Sequence, residues 1–147
     1  MSVRVGINGF GRIGRNVLRA IVEARRNDIE VVGINDLAPV ETNAHLLRFD
    51  SVHGRFPGEV SVKSDAINIG NGPIRVTAIK DPATLPWKEL GVDIALECTG
   101  IFTSKEKAAA HLVAGAKRVV VSAPADGVDL TVVYGVNHDK LDRKSVV

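Results

Sequence analysis

The segment Gly9-Phe10-Gly11-Arg12-Ile13-Gly14 follows directly on an apolar run, Val3-Arg4-Val5-Gly6-Ile7, and a second run, Ile29 to Ile34, leads into Asp36, 22 residues beyond Gly14. Three spaced glycines alone constrain little, because turns use glycine freely. A strand before them, a helical pattern after them and an acid at this distance together describe a βαβ unit that seats a dinucleotide at the start of its helix. Gly9 allows the tight turn off the strand, Gly11 lets the backbone approach a pyrophosphate, and Gly14 lets the helix pack against the sheet. The N–H groups of Arg12 and Ile13 then face the phosphates as orphan donors of a helix N-terminus, where the peptide dipoles also favour negative charge. Asp36 is placed to accept hydrogen bonds from the adenosine ribose. Its carboxylate would repel a 2′-phosphate, and no arginine or lysine lies nearer to it in sequence than Arg26 and Arg48, so the reading is NAD rather than NADP. The competing reading, a βα turn without a ligand and Asp36 as an ordinary loop acid, leaves the coincidence of strand, helix and acid without a cause.

A chain of 147 residues is one domain by length. With 45% hydrophobic but only 4% aromatic residues, its core must be aliphatic. Val119-Val120-Val121 and Ile94-Ala95-Leu96 show no alternation, as expected of strands covered on both faces in a parallel sheet. A formal charge of +2 is too small to argue for nucleic acid. Arg12, Arg15 and Arg19, at spacings of three and four and opposite Ile13, Val17 and Ile21, read as the polar face of an amphipathic helix. The single cysteine, Cys98, excludes an internal disulfide. Neither a charged leader followed by an apolar stretch nor a run of membrane-spanning length is visible, so a cytoplasmic protein without membrane association is expected.

Along the chain, the first unit reads strand Val3 to Ile7, helix Arg12 to Glu23, strand Ile29 to Ile34. After Pro39, Thr42 to Phe49 is helix-like, and 50–58 is a loop. From Val60 to Ile79 apolar residues alternate with polar ones around Asn71-Gly72, which predicts antiparallel hairpin strands. Leu85 to Leu90 suggests a helical turn. Ile94 to Glu97 reads as a strand, Thr103-Ser104-Lys105-Glu106 as a capping box opening a helix to Ala114, Arg118 to Ser122 as a buried strand and Leu130 to Tyr134 as another. The expected fold is α/β: one domain over 1–147, a doubly wound, mostly parallel sheet with an antiparallel hairpin insertion.

Ligands in such sheets sit outside the carboxyl ends of the strands. The residues to weigh are therefore Asn8 to Gly11, Asp36 and Leu37, Lys80, Cys98 to Gly100, and Ser122. No His, Cys or carboxylate pair shows metal-ligand spacing, and no metal is expected. His45, His53 and His138 read as packing or loop histidines bonded locally.

With these residues in place, the chain resembles glyceraldehyde-3-phosphate dehydrogenase over its whole length. The resemblance is carried by Gly6-Ile7-Asn8-Gly9-Phe10-Gly11-Arg12-Ile13-Gly14-Arg15, Asn35-Asp36-Leu37, Ala44-His45-Leu46-Leu47, Asp50-Ser51-Val52-His53-Gly54, Glu97-Cys98-Thr99-Gly100-Ile101-Phe102, Ser122-Ala123-Pro124 and Gly135-Val136-Asn137-His138. It implies an enzyme that oxidises glyceraldehyde 3-phosphate with NAD and inorganic phosphate to 1,3-bisphosphoglycerate, as a cytoplasmic homotetramer. It also implies site roles around the cofactor for Asn8, Gly9, Phe10 and Gly11. Arg12 and Ile13 would hold the pyrophosphate and Asp36 the ribose. Lys80 and Phe102 would lie near the adenine, Thr99 and Gly100 would line the groove, and Ser122 would lie near the nicotinamide end. Leu37 matches the NAD-using form of the family.

The family's nucleophilic cysteine lies in a Ser-Cys-Thr-Thr-Asn-Cys segment shortly after the position of Ser145-Val146-Val147, so this chain matches the first half of the enzyme and carries none of its catalytic residues. Cys98 matches a small residue that packs beside the cofactor, and a free cysteine is most often a small buried hydrophobe. The chain alone is accordingly expected to be inactive. Two other readings stay open: a non-catalytic nucleotide-binding fragment, and the erythrose-4-phosphate dehydrogenase relative that shares these first-half motifs.

Overall fold

A computed structural model of the chain describes residues 1–142 and 146–147. Strand β1 (Val3–Asn8) passes through the glycine turn into helix α1 (Arg12–Glu23), which returns to β2 (Ile29–Asn35). Helix α2 (Val40–Arg48) follows, then two-residue strands β3 (Phe49–Asp50) and β4 (Gly54–Arg55), which pair with each other inside the segment expected to be a loop. Short strands β5 (Ser61–Lys63), β6 (Ala66–Asn68) and β7 (Pro73–Thr77) come next. A 3-10 turn, Pro82–Thr84, precedes β8 (Ile94–Glu97), helices α3 (Lys105–Ala108) and α4 (Ala110–Val113), and β9 (Arg118–Val121).

Seven strands form one sheet in the order β5-β6-β7-β2-β1-β8-β9. The pairs β1/β2, β1/β8, β2/β7 and β8/β9 are parallel, while β5/β6 and β6/β7 are antiparallel. The alternating segment is therefore a meander continuous with the main sheet, because β7 pairs parallel with β2 on one edge and antiparallel with β6 on the other. The chain builds outward from β1 in one direction and then returns to β1's other side as β8. That reversal opens the sheet's carboxyl end between β1 and β8, where ligands of doubly wound sheets bind.

Both faces are covered. Val5, Ile7, Leu18, Ile34, Ala44, Leu47 and Ile67 pack on the side of α1 and α2, and Val32, Leu85, Trp87, Val92 and Ala95 pack on the other. Val31 and Ile34 share the first face although three residues apart, because the β1/β2 register slips between Val5 and Gly6 and sends Val32 to the opposite side. Gly6 and Gly33 are register partners there, and a Cβ on either would lie 2.8 to 3.0 Å from the Trp87 ring. Two glycines side by side thus make the flat floor on which the chain's one tryptophan lies.

Several expectations are corrected. Arg19 is not on a solvated helix face. It is 2% exposed, its Nη2 donates to Leu47 O at 2.6 Å and Gly54 O at 3.0 Å, and its guanidinium lies 5.6 Å from the Phe56 ring centre, while Ile13 is 53% exposed. Arg19 alone of the arginine row is turned under α2 and the β3/β4 ladder, where the carbonyls of Leu47 and Gly54 accept its Nη2 near the negative end of α2 while its Nε and Nη1 are buried without a hydrogen-bond partner. The cap of the second helical region is Ser104, which accepts from Lys107 N, rather than Thr103 with Glu106, and the helix is broken at Ala109 into α3 and α4. Leu130 to Tyr134 forms no strand: Val133 N–H donates to Asn137 Oδ1, and the edge of β9 is taken by Val146 and Val147. Of the run beginning at Ser145, that first residue lies outside the described residues. Among the described residues, no helix is long and apolar enough to cross a membrane.

Candidate functional site

A groove of about 490 Å³ opens at the carboxyl ends of the central strands. Asn8, Gly9 and Gly11 line it from the end of β1, Asn35, Asp36 and Leu37 from β2, Ile79 and Lys80 from β7, and Cys98, Thr99, Ile101 and Phe102 from β8. The three glycines play three different parts. Gly9 has φ of +91°, and a Cβ there would fall 2.7 Å from Thr99 N, so it needs glycine both for its backbone and for the close approach of the segment after β8. A Cβ on Gly14 would fall 2.2 Å from Gly9 O, which seats the first turn of α1 directly on the glycine turn. Gly11 is different: φ is −71° and a Cβ would meet no protein atom within 4 Å. Nothing inside the protein asks for glycine at that position, which faces the open groove.

Gly11 is the N-cap of α1, and no side chain caps this helix. The first-turn N–H groups of Arg12 and Ile13 have no intrahelical acceptor and no acidic residue occupies the first turn, so the donors and the positive end of the helix dipole are left to an anion. The Arg12 guanidinium itself is turned to Asp50 at 3.2 Å. Asp50 in turn accepts the N–H groups of His53 and Val52, which together with Arg12 hold its carboxyl near 2.

Asp36 is half-buried, and it spans the site rather than merely facing it. Its Oδ2 accepts Phe10 N–H at 2.8 Å and its Oδ1 accepts Ala38 N–H at 2.9 Å. Each oxygen keeps lone pairs for further donors, so the carboxylate can take ribose hydroxyls while tying β2's loop to the glycine turn. Phe10 has its ring in the core, 1% exposed, and its N–H committed to Asp36, so it acts on a ligand only through the position of the turn. Leu37 and Ile101 are 61% and 66% exposed at opposite sides of the groove mouth, with Phe102 half-buried beside Ile101. Lys80 and Gly100 are exposed, and Gly100 has φ of +77°. Ser122 is exposed just past β9, with its N–H on Glu97 O and its hydroxyl bonded to Cys98. Arg12, Ile13, Gly100 and Ser122 lie at the margins of the groove rather than on its walls.

Cys98 lines the groove half-buried, and burial pushes its thiol above the usual range despite the bond from Ser122. A thiol kept protonated is a poor nucleophile. Among the described residues no group of three His, Cys, Asp or Glu side chains is placed to hold a metal ion. His45 packs against Phe49 with ring centres 5.1 Å apart, and His138 Nδ1 accepts Gly135 N–H.

Sequence reasoning missed the polar interior beneath the groove. Asn35, 4% exposed, has its Oδ1 on Ile79 N and Thr77 Oγ1, and its Nδ2 on Ile79 O and Asn8 Oδ1. Asn8 Nδ2 donates to Glu97 Oε2 at 2.7 Å, and His111 Nε2 lies 2.6 Å from the same oxygen. Burial raises the Glu97 carboxyl, but bonds from His111, Thr99 and Asn8 outweigh it and bring it below the usual carboxylate range. A charged residue at the end of an otherwise apolar strand, Ile94-Ala95-Leu96-Glu97, was the one available signal. His111, in an alanine-rich helix far along the chain, offered none.

A doubly wound sheet with a glycine turn, an uncapped helix N-terminus and an acid at the end of the second strand defines the dinucleotide-binding class of domain. Residues 3–105 match the family described as glyceraldehyde 3-phosphate dehydrogenase, NAD binding domain, and the chain belongs to that family. It is 78% identical over 147 residues to the glyceraldehyde-3-phosphate dehydrogenase of Xanthobacter flavus and 71% identical to that of Cereibacter sphaeroides, covering 100% of this chain and 44% of each relative. The enzyme of that name from Pseudomonas aeruginosa is 58% identical over 142 residues, 96% of this chain and 42% of its own length. The chain thus spans under half the length of the curated relatives it matches.

Proposed function

We propose that this chain is the cofactor-holding part of an enzyme that oxidises glyceraldehyde 3-phosphate with NAD and inorganic phosphate to 1,3-bisphosphoglycerate, a glycolytic reaction, in the cytoplasm and as a homotetramer. The dehydrogenation of glyceraldehyde 3-phosphate is supported by the names of relatives that are longer than this chain, and the phosphate, the compartment and the assembly by the family resemblance of the sequence motifs. The observation that carries the cofactor seat is Gly11, a glycine that no protein neighbour and no backbone angle requires, set over unpartnered helix N–H groups.

When bound, NAD supplies the hydride acceptor. The residues of this chain would bind and orient it. Arg12 and Ile13 N–H groups take the pyrophosphate over Gly11, with Gly9 and Gly14 keeping the turn tight beneath it. Asp36 takes the adenosine ribose and disfavours a 2′-phosphate. Leu37, Ile101 and Phe102 offer apolar surface for the adenine, with Lys80 at its edge. Asn8, Thr99 and Gly100 continue the groove towards Ser122 at the nicotinamide end, and Cys98 packs beside the cofactor as a protonated thiol.

Calorimetric titration of the chain with NAD and NADP tests this reading. One NAD per chain, bound more tightly than NADP, is expected. No binding heat with either dinucleotide would refute the seat.

A further inference from the structure

Two chains of hydrogen bonds run through the interior to one carboxylate, and each has its direction fixed at the far end. In the first, Ile79 presents both a backbone N–H and a C=O to the Asn35 amide, each at 2.8 Å, so Asn35 cannot be reversed. Its Nδ2 therefore donates to Asn8 Oδ1 at 2.8 Å, and Asn8 Nδ2 must donate onward to Glu97 Oε2 at 2.7 Å. In the second, the Trp87 indole N–H, which only donates, points at His111 Nδ1 at 2.9 Å. That bond assigns His111 as the neutral tautomer with its proton on Nε2, donating to Glu97 Oε2 at 2.6 Å. Thr99 adds its N–H at 2.9 Å and its hydroxyl, both to Glu97 Oε1. Four donors converge on a side chain that is 1% exposed, and no lysine or arginine among the described residues pairs with it.

We propose that Glu97 is the positioning residue of the cofactor groove, an acceptor that must carry no proton because every group around it donates. The inference rests on the groove being the NAD seat. Asn8 and Thr99 are the wall residues it holds, one on each side of the opening between β1 and β8. Thr99 N would lie 2.7 Å from a Cβ on Gly9, so the segment after β8 is in contact with the glycine turn and a displacement of one passes to the other. A buried carboxylate without a cation costs more to desolvate than an amide of the same shape. If Glu97 only filled space, glutamine would serve at least as well. Glutamine cannot serve the donors: with its oxygen towards Thr99 its NH₂ meets Asn8 Nδ2 and His111 Nε2, and with the oxygen towards those two its NH₂ meets the Thr99 N–H. Either orientation pushes one wall of the groove outward.

The test compares Glu97→Gln with Val119→Ala, a cavity in the neighbouring strand at a fully buried position away from the groove. NAD is titrated into wild type and both variants below their melting temperatures. Glu97→Gln should weaken NAD about 10- to 150-fold, the range for losing a bond to a charged group, whereas Val119→Ala should stay within about twofold of wild type at a similar loss of melting temperature. NAD affinity in Glu97→Gln within threefold of wild type would overturn the proposal, as would equal weakening in both variants. Should Glu97→Gln fail to fold, nitrogen-15 NMR of wild-type His111 decides: a proton on Nε2 supports the converging chains, and a proton on Nδ1 overturns them. Failure of the wild type to bind NAD would refute the cofactor seat and with it the proposal that rests on it, a result distinct from wild-type affinity retained in Glu97→Gln.

Discussion

Gly11→Ala separates a glycine kept for a ligand from one kept for the fold. In the free protein the new methyl meets no atom within 4 Å and the backbone, with φ of −71°, already suits alanine. An N-cap alanine costs up to about 1 kcal/mol relative to glycine. Reduced freedom of the unfolded chain offsets about 0.4–1 kcal/mol of that. The melting temperature should therefore move by only a few degrees. In the complex the same methyl stands where the pyrophosphate approaches the Arg12 and Ile13 N–H groups. Losing two charge-assisted hydrogen bonds of about 1.5–3 kcal/mol each amounts to about 3–6 kcal/mol, or roughly a 10²- to 10⁴-fold loss of NAD affinity. Gly14→Ala is the contrast, because its methyl would sit 2.2 Å from Gly9 O, a backbone atom that cannot swing aside. That variant should lose several degrees of melting temperature whether or not ligand is present. Scanning calorimetry and NAD titration on both variants read out the difference. Wild-type NAD affinity in Gly11→Ala would refute the placement of the pyrophosphate, and destabilisation of Gly11→Ala equal to that of Gly14→Ala would refute the claim that the protein itself does not need this glycine.

Asp36→Ala should weaken NAD roughly 10- to 150-fold, and because Asp36 also holds Phe10 N–H it should weaken NADP too, by less; equal losses by calorimetry would show that the carboxylate does not set cofactor choice. Arg19→Ala should destabilise the chain by about 2–4 kcal/mol in urea unfolding, since it leaves Leu47 O and Gly54 O without their buried donor, and a change below about 0.5 kcal/mol would sink that account. Asp50 has its folded pKa depressed to about 2 by the His53 and Val52 N–H groups, so its contribution is complete above the ordinary aspartate range of about 4 and is lost as pH falls towards 2; loop melting followed by NMR should show this decline, and an Asp50→Asn chain that melts with the same acid profile would refute it. Cys98 should react slowly with iodoacetamide at pH 8 and be further protected by NAD, and the chain should produce no NADH above blank from aldehyde, phosphate and NAD; turnover abolished by Cys98→Ser would overturn the non-catalytic assignment.

The βαβ unit, the cofactor and the class of fold were legible in the chain because they depend on local rules: an unalternating aliphatic run forms a covered strand, a spaced glycine set forms one kind of turn, and an acid lies a fixed chain length beyond. The same locality explains why α1's bounds, Arg12–Glu23, could be read in advance, and why strand-end residues such as Asn8, Gly9, Asp36 and Lys80 line one groove while Arg12, Ile13, Gly100 and Ser122 do not. What escaped depended on partners distant in sequence. Whether Arg19 faces water or the end of α2 is decided by where residues 47–56 pack, and nothing in the helix's own spacing specifies that. Leu130 to Tyr134 has the composition of a strand, but β9's edge is occupied by Val146 and Val147, and a strand needs an edge as well as a propensity. The Glu97 network joins positions 8, 35, 87, 97, 99 and 111, each an ordinary residue in its own segment. Sequence by itself determined the tight glycine turn and the open helix N-terminus at the end of β1, since backbone geometry there is a short-range matter. Only the tertiary structure decided which buried groups bond to one another beneath the groove, because hydrogen-bond direction is set where separate segments meet and is written in none of them alone.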